Sequence, residues 1–429
     1  MKLGLRSSAW WLLVISGVVS LSVGLSNTFV NVYLWKIDRS YIPIGWYNFS
    51  VYCAIPITFI AAGWVAKHWQ LIWSLRIGLI LHGLFYALVL IGGRSVARSP
   101  AGLGVALGVA AGFYWLAFNQ LSLQVTDESR RDRFYGLNGV MGAVAGMVAP
   151  PLAGYFISKE DIAFGGLTGY HLVFGASLVL FVLAGTLSSL LRLHPIRGQL
   201  RLQESWVALR QRSWRVILLG CMVYGLREGV FIFLIGLLMY VTTGSEMRLG
   251  EFLFLQGFLS FISYFAVSRW TTPKRRPTVM GIGAVGLACA AGLFLLPLTA
   301  RLVLWYGALA AAALPLFLVS LQGYVSDTID GLSKNPAEQI EHIIAREAFE
   351  NFGRILGIGI FLFMLDLDKK GQNLRYLALI LGWIQLLTWA MITHEQRGKM
   401  TKSNNETRTL TLRKAHLVRS GVSQDKKNW

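Results

Sequence analysis

Two charged residues, Arg227 and Glu228, lie side by side in the middle of an apolar stretch at about 216–240. That stretch is long enough to cross a bilayer, where an ionisable side chain is costly unless it faces a cavity or a partner. Successive residues of a helix point about 100° apart, so the two side chains are expected to have different partners. The pattern predicts that Glu228 carries a proton and that Arg227 binds an anionic group. A static charge pair that fixes helix packing would show the same pattern.

A second set of charges follows helical spacing, since Arg346, Glu350 and Arg354 recur at every fourth position. On a helix this spacing forms one stripe of alternating charge, which we interpret as a gate or a substrate-steering ladder opposite Glu228. The alternative is a solvated helix end with intrahelical ion pairs worth about 0.2–0.5 kcal/mol each. Uncharged polar residues in other apolar stretches complete the candidate set for substrate or proton binding: Asn27, Asn31, Asn119, Gln120 and Gln322.

Membrane-spanning helices are the elements that must position these residues. Of the 429 residues, 55% are hydrophobic and only 14% are charged, whereas a soluble domain carries about 25% charged residues. Apolar runs recur along the chain, each close to the roughly 20 residues that a helix needs to cross the hydrocarbon. We predict an all-α integral membrane protein with twelve spans: 10–34, 43–66, 71–93, 101–124, 137–157, 169–191, 214–241, 249–268, 278–298, 300–324, 346–366 and 375–393.

Basic residues set the predicted orientation of these spans. Twelve spans place both termini on one side, and most of the 40 Lys and Arg residues fall in the loops and termini of that side. Because cytoplasmic loops are enriched in Lys and Arg, both termini are predicted to be cytoplasmic, in the plasma (inner) membrane. The net charge of +19 follows from this topology. No nucleic-acid partner is expected, because the basic residues are dispersed and form no recognisable binding motif.

The sequence does not indicate catalytic or metal-binding chemistry. The three cysteines, Cys53, Cys221 and Cys289, fall inside predicted spans without metal-ligand spacing. No cluster of His, Cys or carboxylates has catalytic spacing, and no Walker-type nucleotide-binding motif occurs. We therefore expect no metal, no cofactor, no ATP motor within this chain and no enzymatic activity.

The chain divides into two halves that resemble each other. A central Arg-rich loop separates six spans from six, and Asn27 in the first span corresponds to Glu228 in the seventh. Likewise, Asp127 after the fourth span corresponds to Asp327 after the tenth. Parallel six-helix repeats are typical of one large class of transporters, with the site at the midplane between the halves. The predicted parts are a first bundle, a cytoplasmic linker, a second bundle and a basic cytoplasmic tail, at 1–192, 193–213, 214–394 and 395–429.

Two loop motifs resemble those of a known transporter family. Between spans two and three, Gly63 keeps the glycine of a Gly-x-x-x-Asp-Arg-x-Gly-Arg loop, while Lys67 stands in place of its acid. The junction Asp127-x-x-x-Arg131, which leads into span five, is similar to the junction found in many members. Together with span five, these motifs make the chain resemble the major facilitator superfamily over about residues 8–395.

Span five carries the most specific part of this resemblance. Gly146-x-x-x-Pro150-Pro151-x-x-Gly154 is similar to the Gly-x-x-x-Gly-Pro-x-x-Gly-Gly motif of antiporters in that superfamily. Small residues along one face permit close helix contact, and prolines interrupt backbone hydrogen bonding, so a packed seam without a coupling role is equally consistent. The predicted gating or helix-packing set is Asp127, Arg131, Gly146, Pro150, Pro151, Gly154, Asp327 and Arg346.

The resemblance implies a secondary transporter in which two pseudo-symmetric six-helix bundles alternate access to a central site. The segment Ala345–Arg354 also resembles the YqgE-like bacterial transporters, which implies no particular substrate. The antiporter-like span five favours proton-coupled export of a small amphipathic molecule by a monomer in the lipid bilayer. Two alternatives stay open. One is a lipid or glycolipid flippase that takes a headgroup at Arg227 or Arg354, and the other is a non-transporting scaffold or sensor, which the departure at Lys67 would fit.

Overall fold

The computed structural model describes residues 7–164, 168–191, 196, 198–367 and 374–395. The side chain of Asn27, the linker residues 193–195 and 197, and the predicted tail beyond residue 395 lie outside the described parts. The expectations made for those residues, and the predicted domain boundaries, stay predictions. Within the described parts the chain is helical apart from short connections, and these parts contain no β-strand.

Among the described residues, twelve helices are long and apolar enough to cross a membrane, which confirms the predicted number of spans and the all-α fold. A short helix, α7, lies in the connection between the halves, and 3₁₀ turns at Ser188–Leu190 and Leu293–Leu295 follow α6 and α10. The helices are α1 (Ser7–Asp38), α2 (Ile42–His68), α3 (Leu71–Ala97), α4 (Pro100–Val125), α5 (Glu128–Phe164), α6 (Thr168–Leu187), α7 (Gln203–Ala208), α8 (Arg212–Thr243), α9 (Glu246–Trp270), α10 (Arg276–Gly292), α11 (Ala300–Leu332), α12 (Gln339–Leu367) and α13 (Leu374–Glu395).

Several helices extend beyond the apolar spans predicted for them. Helix α5 begins at Glu128 rather than at residue 137, and α12 begins at Gln339 rather than at residue 346. Hydropathy detects only the part of a helix that fits the hydrocarbon, whereas backbone hydrogen bonding continues through the polar turns at its ends. Arg346 and Glu350 therefore lie well inside α12 and are buried, so the solvated helix end considered above is not observed.

The most extensive contacts between the first six spans and the last six are made by two helix pairs: α5 packs against α9, and α2 packs against α12. In the first pair, backbone atoms of α9 lie 4.0 Å from the position a Cβ would take at Gly146 and 2.8 Å from that at Gly154. Helix α5 continues without a break through Pro150 and Pro151. The antiporter-like motif is therefore part of the close contact between the halves.

Within the second half, α8 and α12 cross at very close range because both carry a Gly-x-x-x-Gly sequence, at 225–229 and 353–357. A Cβ added at Gly225 would lie 2.1 Å from a carbonyl oxygen of α12, and one added at Gly353 would lie 2.0 Å from a carbonyl oxygen of α8. Only glycine permits two helix backbones to approach this closely. The first motif also encloses Arg227 and Glu228, and the second encloses Arg354.

Candidate functional site

Two adjoining cavities lie between the halves at the level of these charges. The central cavity has a volume of about 380 Å³ and the second cavity one of about 590 Å³. Glu228 lines both of them. Asn119 and Gln322 line the central cavity, and Asn31 lines the second, where it accepts a hydrogen bond from Asn48 Nδ2 at 3.0 Å. Glu350 and Arg354 also line the central cavity and Arg227 lines the second, so seven of the nine predicted binding residues line one or both cavities.

Arg354 of α12 is the centre of a buried network of ion pairs. Its Nε donates to Glu228 Oε2 at 2.6 Å, its Nη1 donates to Glu347 Oε1 at 3.2 Å, and its Nη2 donates to Glu350. The guanidinium also lies 5.2 Å from the ring centroid of Tyr52, which comes from α2 in the other half. Because the planar fork of an arginine presents several donors at once, this one side chain can hold three carboxylates.

Arg346 is the second cation of the network. Its Nη1 donates to Glu350 Oε2 at 2.5 Å, and its Nη2 lies 3.1 Å from Glu347 Oε2. The stripe predicted for α12 is therefore present, and through Arg354 it contacts Glu228 of α8. We define the inner charge cluster as Glu228, Arg346, Glu347, Glu350 and Arg354.

The inner charge cluster contains three carboxylates and only two guanidinium groups. With every group ionised it would carry one net negative charge, and one bound proton would make it neutral. A net charge is costly in the membrane interior, so the gain or loss of one proton changes the electrostatic free energy of this cluster substantially. Glu228 has the most exposed side chain of the three acids, at 22%, and is the acid that lines both cavities.

Arg227 has different partners from Glu228, as its position on the helix predicts. Its Nη2 donates to the hydroxyl oxygen of Tyr306 at 3.1 Å, and its guanidinium lies 4.7 Å from the ring centroid of Phe231. The side chain lines the second cavity, and Arg227 as a whole is only 4% exposed. No carboxylate of the described residues forms an ion pair with it.

Gln120 lies away from the cavities, although it was predicted to bind substrate. Its Nε2 donates to Gln339 Oε1 at 3.0 Å and to the carbonyl oxygen of Pro336 at 2.9 Å, which links α4 to the turn before α12. This contact lies at the amino-terminal face, which we define as the end of the bundle that holds the start of α1 and the end of α2 at His68. Gln120 therefore joins the two halves at that face.

Ion pairs connect the halves at the same face. Arg131 of α5 pairs with Asp327 and, at 2.9 Å, with Asp330, both of α11. Arg276 of α10 pairs with Asp132 of α5 at 2.8 Å and also with Asp327. Asp327 thus bridges two arginines that come from opposite halves. The predicted gating residues Arg131 and Asp327 lie in direct contact.

Lys67 forms a further link between the halves. It is basic, whereas the loop motif between spans two and three has an acid at this position. Its Nζ pairs with Glu341 of α12 and donates to the carbonyl oxygen of Gln199 at 3.1 Å. The side chains of Lys67 and Glu341 are only 3% and 0% exposed. We define the charge latch as Lys67, Arg131, Asp132, Arg276, Asp327, Asp330 and Glu341.

Sequence reasoning missed part of this arrangement. It did not single out Glu341, Asp132 or Arg276, because each residue acquires its meaning only from a partner in the other half. The exchange of an acid for Lys67 was a usable signal, since a buried cation is costly unless it has a partner, and an acid in the other half is one such partner. Asp127, by contrast, was expected at the gate but is exposed, and the ion pairs of the described residues do not include it.

Comparisons with known proteins agree with this architecture. The family model of the Major Facilitator Superfamily matches residues 9–340. The uncharacterized protein YqgE of Bacillus subtilis (strain 168) is 36% identical over 398 residues, which cover 92% of this chain and 91% of the relative. The E. coli fucose:proton symporter FucP has a TM-score of 0.65 at 14% identity, with 91% of this chain and 99% of that chain covered. A bacterial homologue of the iron transporter ferroportin, in an outward-facing state, has a TM-score of 0.61 at 15% identity, with 91% and 99% covered.

Proposed function

This chain belongs to the Major Facilitator Superfamily, and we propose that it exports a small amphipathic molecule in exchange for protons. The chain is a multi-pass membrane protein with the fold of a transporter rather than an enzyme. The further steps of the proposal concern the coupling ion, the direction of transport and the class of substrate.

The imbalance of the inner charge cluster is the observation that carries the proposal. The cluster has one acid more than it has cations, and Glu228, its most exposed acid, lines both cavities. A group of this kind can take a proton from one side of the membrane and release it on the other, provided that the cavities open alternately. We assign the proton-carrying role to Glu228 and a positioning role to Arg354, which holds Glu228 and Glu350 together.

The charge latch supports alternating access. Its ion pairs join the halves at the amino-terminal face, and opening that face requires that they separate. With both termini in the cytoplasm, as the basic loops predict, the latch closes the cytoplasmic end of the cavities. Proton binding in the cluster and cargo binding in the cavities would then shift the balance between latched and unlatched states of a monomer in the plasma membrane.

Two observations support the remaining parts of the proposal. The resemblance of span five to antiporters favours exchange of protons for an exported molecule, and its residues Gly146 and Gly154 lie in the α5–α9 contact between the halves. The cavities combine polar residues such as Asn119 and Gln322 with aromatic and aliphatic walls that include Tyr52 and Ile232. Such a lining suits a molecule with one polar end and an apolar body.

The test uses the full chain in phosphatidylcholine vesicles that contain the pH dye pyranine, with a panel of cationic, neutral and anionic amphipathic probes. We expect at least one probe to move protons through the wild-type protein. Glu228→Gln should abolish this proton movement but leave probe-for-probe exchange intact, because glutamine can still hydrogen-bond to Arg354 but cannot carry a proton.

Glu251→Gln is the matched control, since Glu251 is an exposed acid on α9 in the same half. Proton movement that survives in Glu228→Gln would contradict the proposal. A fluorescent phospholipid that crosses the bilayer without proton movement would favour the flippase instead. A folded protein that moves none of the probes would favour the scaffold or sensor.

A further inference from the structure

Arg227 is a buried cation that belongs to neither the inner charge cluster nor the charge latch. It is 96% removed from solvent, since only 4% is exposed, and no acid among the described residues pairs with it. A buried unpaired charge is costly, and a neutral side chain of similar volume would often be more stable at such a position. Because such a side chain lowers the stability of the fold, helix packing alone does not explain its presence.

Aromatic contacts hold this guanidinium in place. Phe231 lies beneath it with a centroid distance of 4.7 Å, and Tyr306 accepts a hydrogen bond from Nη2 at 3.1 Å. The Tyr306 ring is itself held by Phe294, with ring centroids 4.8 Å apart. Nε is buried and has no hydrogen-bond partner among the described residues. The guanidinium is thus positioned before any ligand binds and has donor capacity in reserve, which reduces the entropic cost of binding.

The surroundings of Arg227 favour a negatively charged ligand. Arg227 and Glu228 are the charged residues that line the second cavity, and Glu228 is already paired with Arg354. When the inner charge cluster holds one proton and is neutral, the remaining charge of this cavity is therefore positive. Its remaining lining is largely apolar, with Ile235 and Leu314 among the aliphatic residues.

We propose that Arg227, held by Phe231 and Tyr306, binds a single carboxylate or phosphate group of an amphipathic anion whose apolar part occupies the second cavity. This deepens the function proposed above, on which it rests, because it names the charge of the cargo. The geometry of an arginine fork matches the oxygens of both anions. A soluble organic acid and a phospholipid headgroup offer the same chemistry, and experiment must separate them.

Thermal unfolding of the purified full chain in dodecyl maltoside tests the site directly. The probes are decanoate, decyl phosphate, decylammonium and decanol, at equal concentrations. We expect the two anions to raise the unfolding temperature of the wild-type protein, with no comparable rise from the cation or the alcohol. The Arg227→Gln variant should bind the anions about 10- to 100-fold more weakly, which is the effect of removing one charged hydrogen-bond partner.

Arg215→Gln is the control, because Arg215 lies on the same helix but is exposed. Anion-dependent stabilisation should persist in this variant. The comparison of decanoate with decanol needs only the wild-type protein, so the proposal can be tested even if Arg227→Gln fails to fold. Equal stabilisation by the anion and the alcohol, or an equal anion effect in Arg227→Gln, would overturn the proposal.

A second arm identifies the source of the anion. The protein is placed in phosphatidylcholine nanodiscs with or without phosphatidic acid, and decanoate is added to discs that lack phosphatidic acid. Arg227-dependent stabilisation by decanoate supports a soluble acid as cargo, and stabilisation by phosphatidic acid alone supports a lipid headgroup at the same site. Stabilisation by neither overturns the inference.

Binding requires no proton gradient, so this test separates the inference from the proposed function. Anion binding at Arg227 without any proton-driven transport would support the anion site and contradict proton coupling through Glu228. Proton-driven transport of cationic or neutral probes alone, with no anion binding, would overturn the anion site and leave coupling through Glu228 intact.

Discussion

The inner charge cluster and the charge latch are both built from carboxylates and basic side chains but are placed differently in the fold. The ion pairs of the cluster lie on α8 and α12, which belong to the same half, and the cluster faces the cavities. The latch pairs Lys67 with Glu341, and Arg276 with Asp132, across the boundary between the halves. Ion pairs within one half can stay intact while the halves move. Ion pairs between the halves must separate whenever the amino-terminal face opens.

The burial of the surplus acid also differs between the two regions. The latch has four acids for three cations, but the side chain of one of these acids, Asp330, is 45% exposed, so water can stabilise its charge. In the cluster, three acids share two cations. Under the proposed function, the cluster responds to protons and cargo, while the latch converts that response into a change of conformation. Substitutions in each region should therefore have different signatures.

Arg354→Leu should have the largest effect, because it leaves three carboxylates with Arg346 alone. Removal of one partner from a buried ion pair costs about 3–5 kcal/mol, so we expect a large loss of thermal stability and of folded yield. Arg354→Lys should recover only part of the loss, since an ammonium group cannot reproduce the contacts of the fork. An Arg354→Leu protein that unfolds at the wild-type temperature would show that the cluster does not stabilise the second half.

Gly353→Ala should have the next largest effect. The added Cβ would lie 2.0 Å from a carbonyl oxygen of α8, so the two helices must move apart, at a cost of about 1–3 kcal/mol. Gly359→Ala is the matched control, because Gly359 is also in α12 and a Cβ there meets nothing within 4 Å. Thermal unfolding of the two variants gives the comparison. Equal stability would contradict the close α8–α12 crossing.

Lys67→Gln should affect conformation more than stability. Glutamine can still donate a hydrogen bond to Glu341, but the charge that holds the amino-terminal face closed is lost, and we expect a roughly tenfold shift towards the open state. Cysteine-modification rates at Ser326, a buried residue close to the latch, would report this opening in a Ser326→Cys background without other cysteines. The double exchange Lys67→Glu with Glu341→Lys should restore closure only in part, because Glu341 also accepts a hydrogen bond from the Arg201 amide. Unchanged modification rates in Lys67→Gln would show that Lys67 does not help to hold the amino-terminal face closed.

Much of the fold could be predicted from the sequence because membrane-spanning helices are required to be apolar along most of their length. The divergent partners of Arg227 and Glu228, and the charged stripe on α12, follow from helical geometry alone. The Gly-x-x-x-Gly sequences of α8 and α12 each indicate a close helix contact, but they do not say which helix lies opposite. The pairing of Glu228 with Arg354 therefore could not be predicted from these sequences alone. The interaction of Lys67 with Glu341 depends on how the two halves dock, which local periodicity does not encode.

The central claim is that protonation of Glu228 changes which face of the cavities is open. The most direct test measures the distance between spin labels at Glu128→Cys and Lys334→Cys, two exposed positions on opposite halves at the amino-terminal face. The background replaces Cys53, Cys221 and Cys289 with alanine. We predict that the distance distribution shifts between acidic and alkaline pH, and that the shift is lost in Glu228→Gln but kept in Glu251→Gln. A pH-dependent shift that persists unchanged in Glu228→Gln would contradict the account.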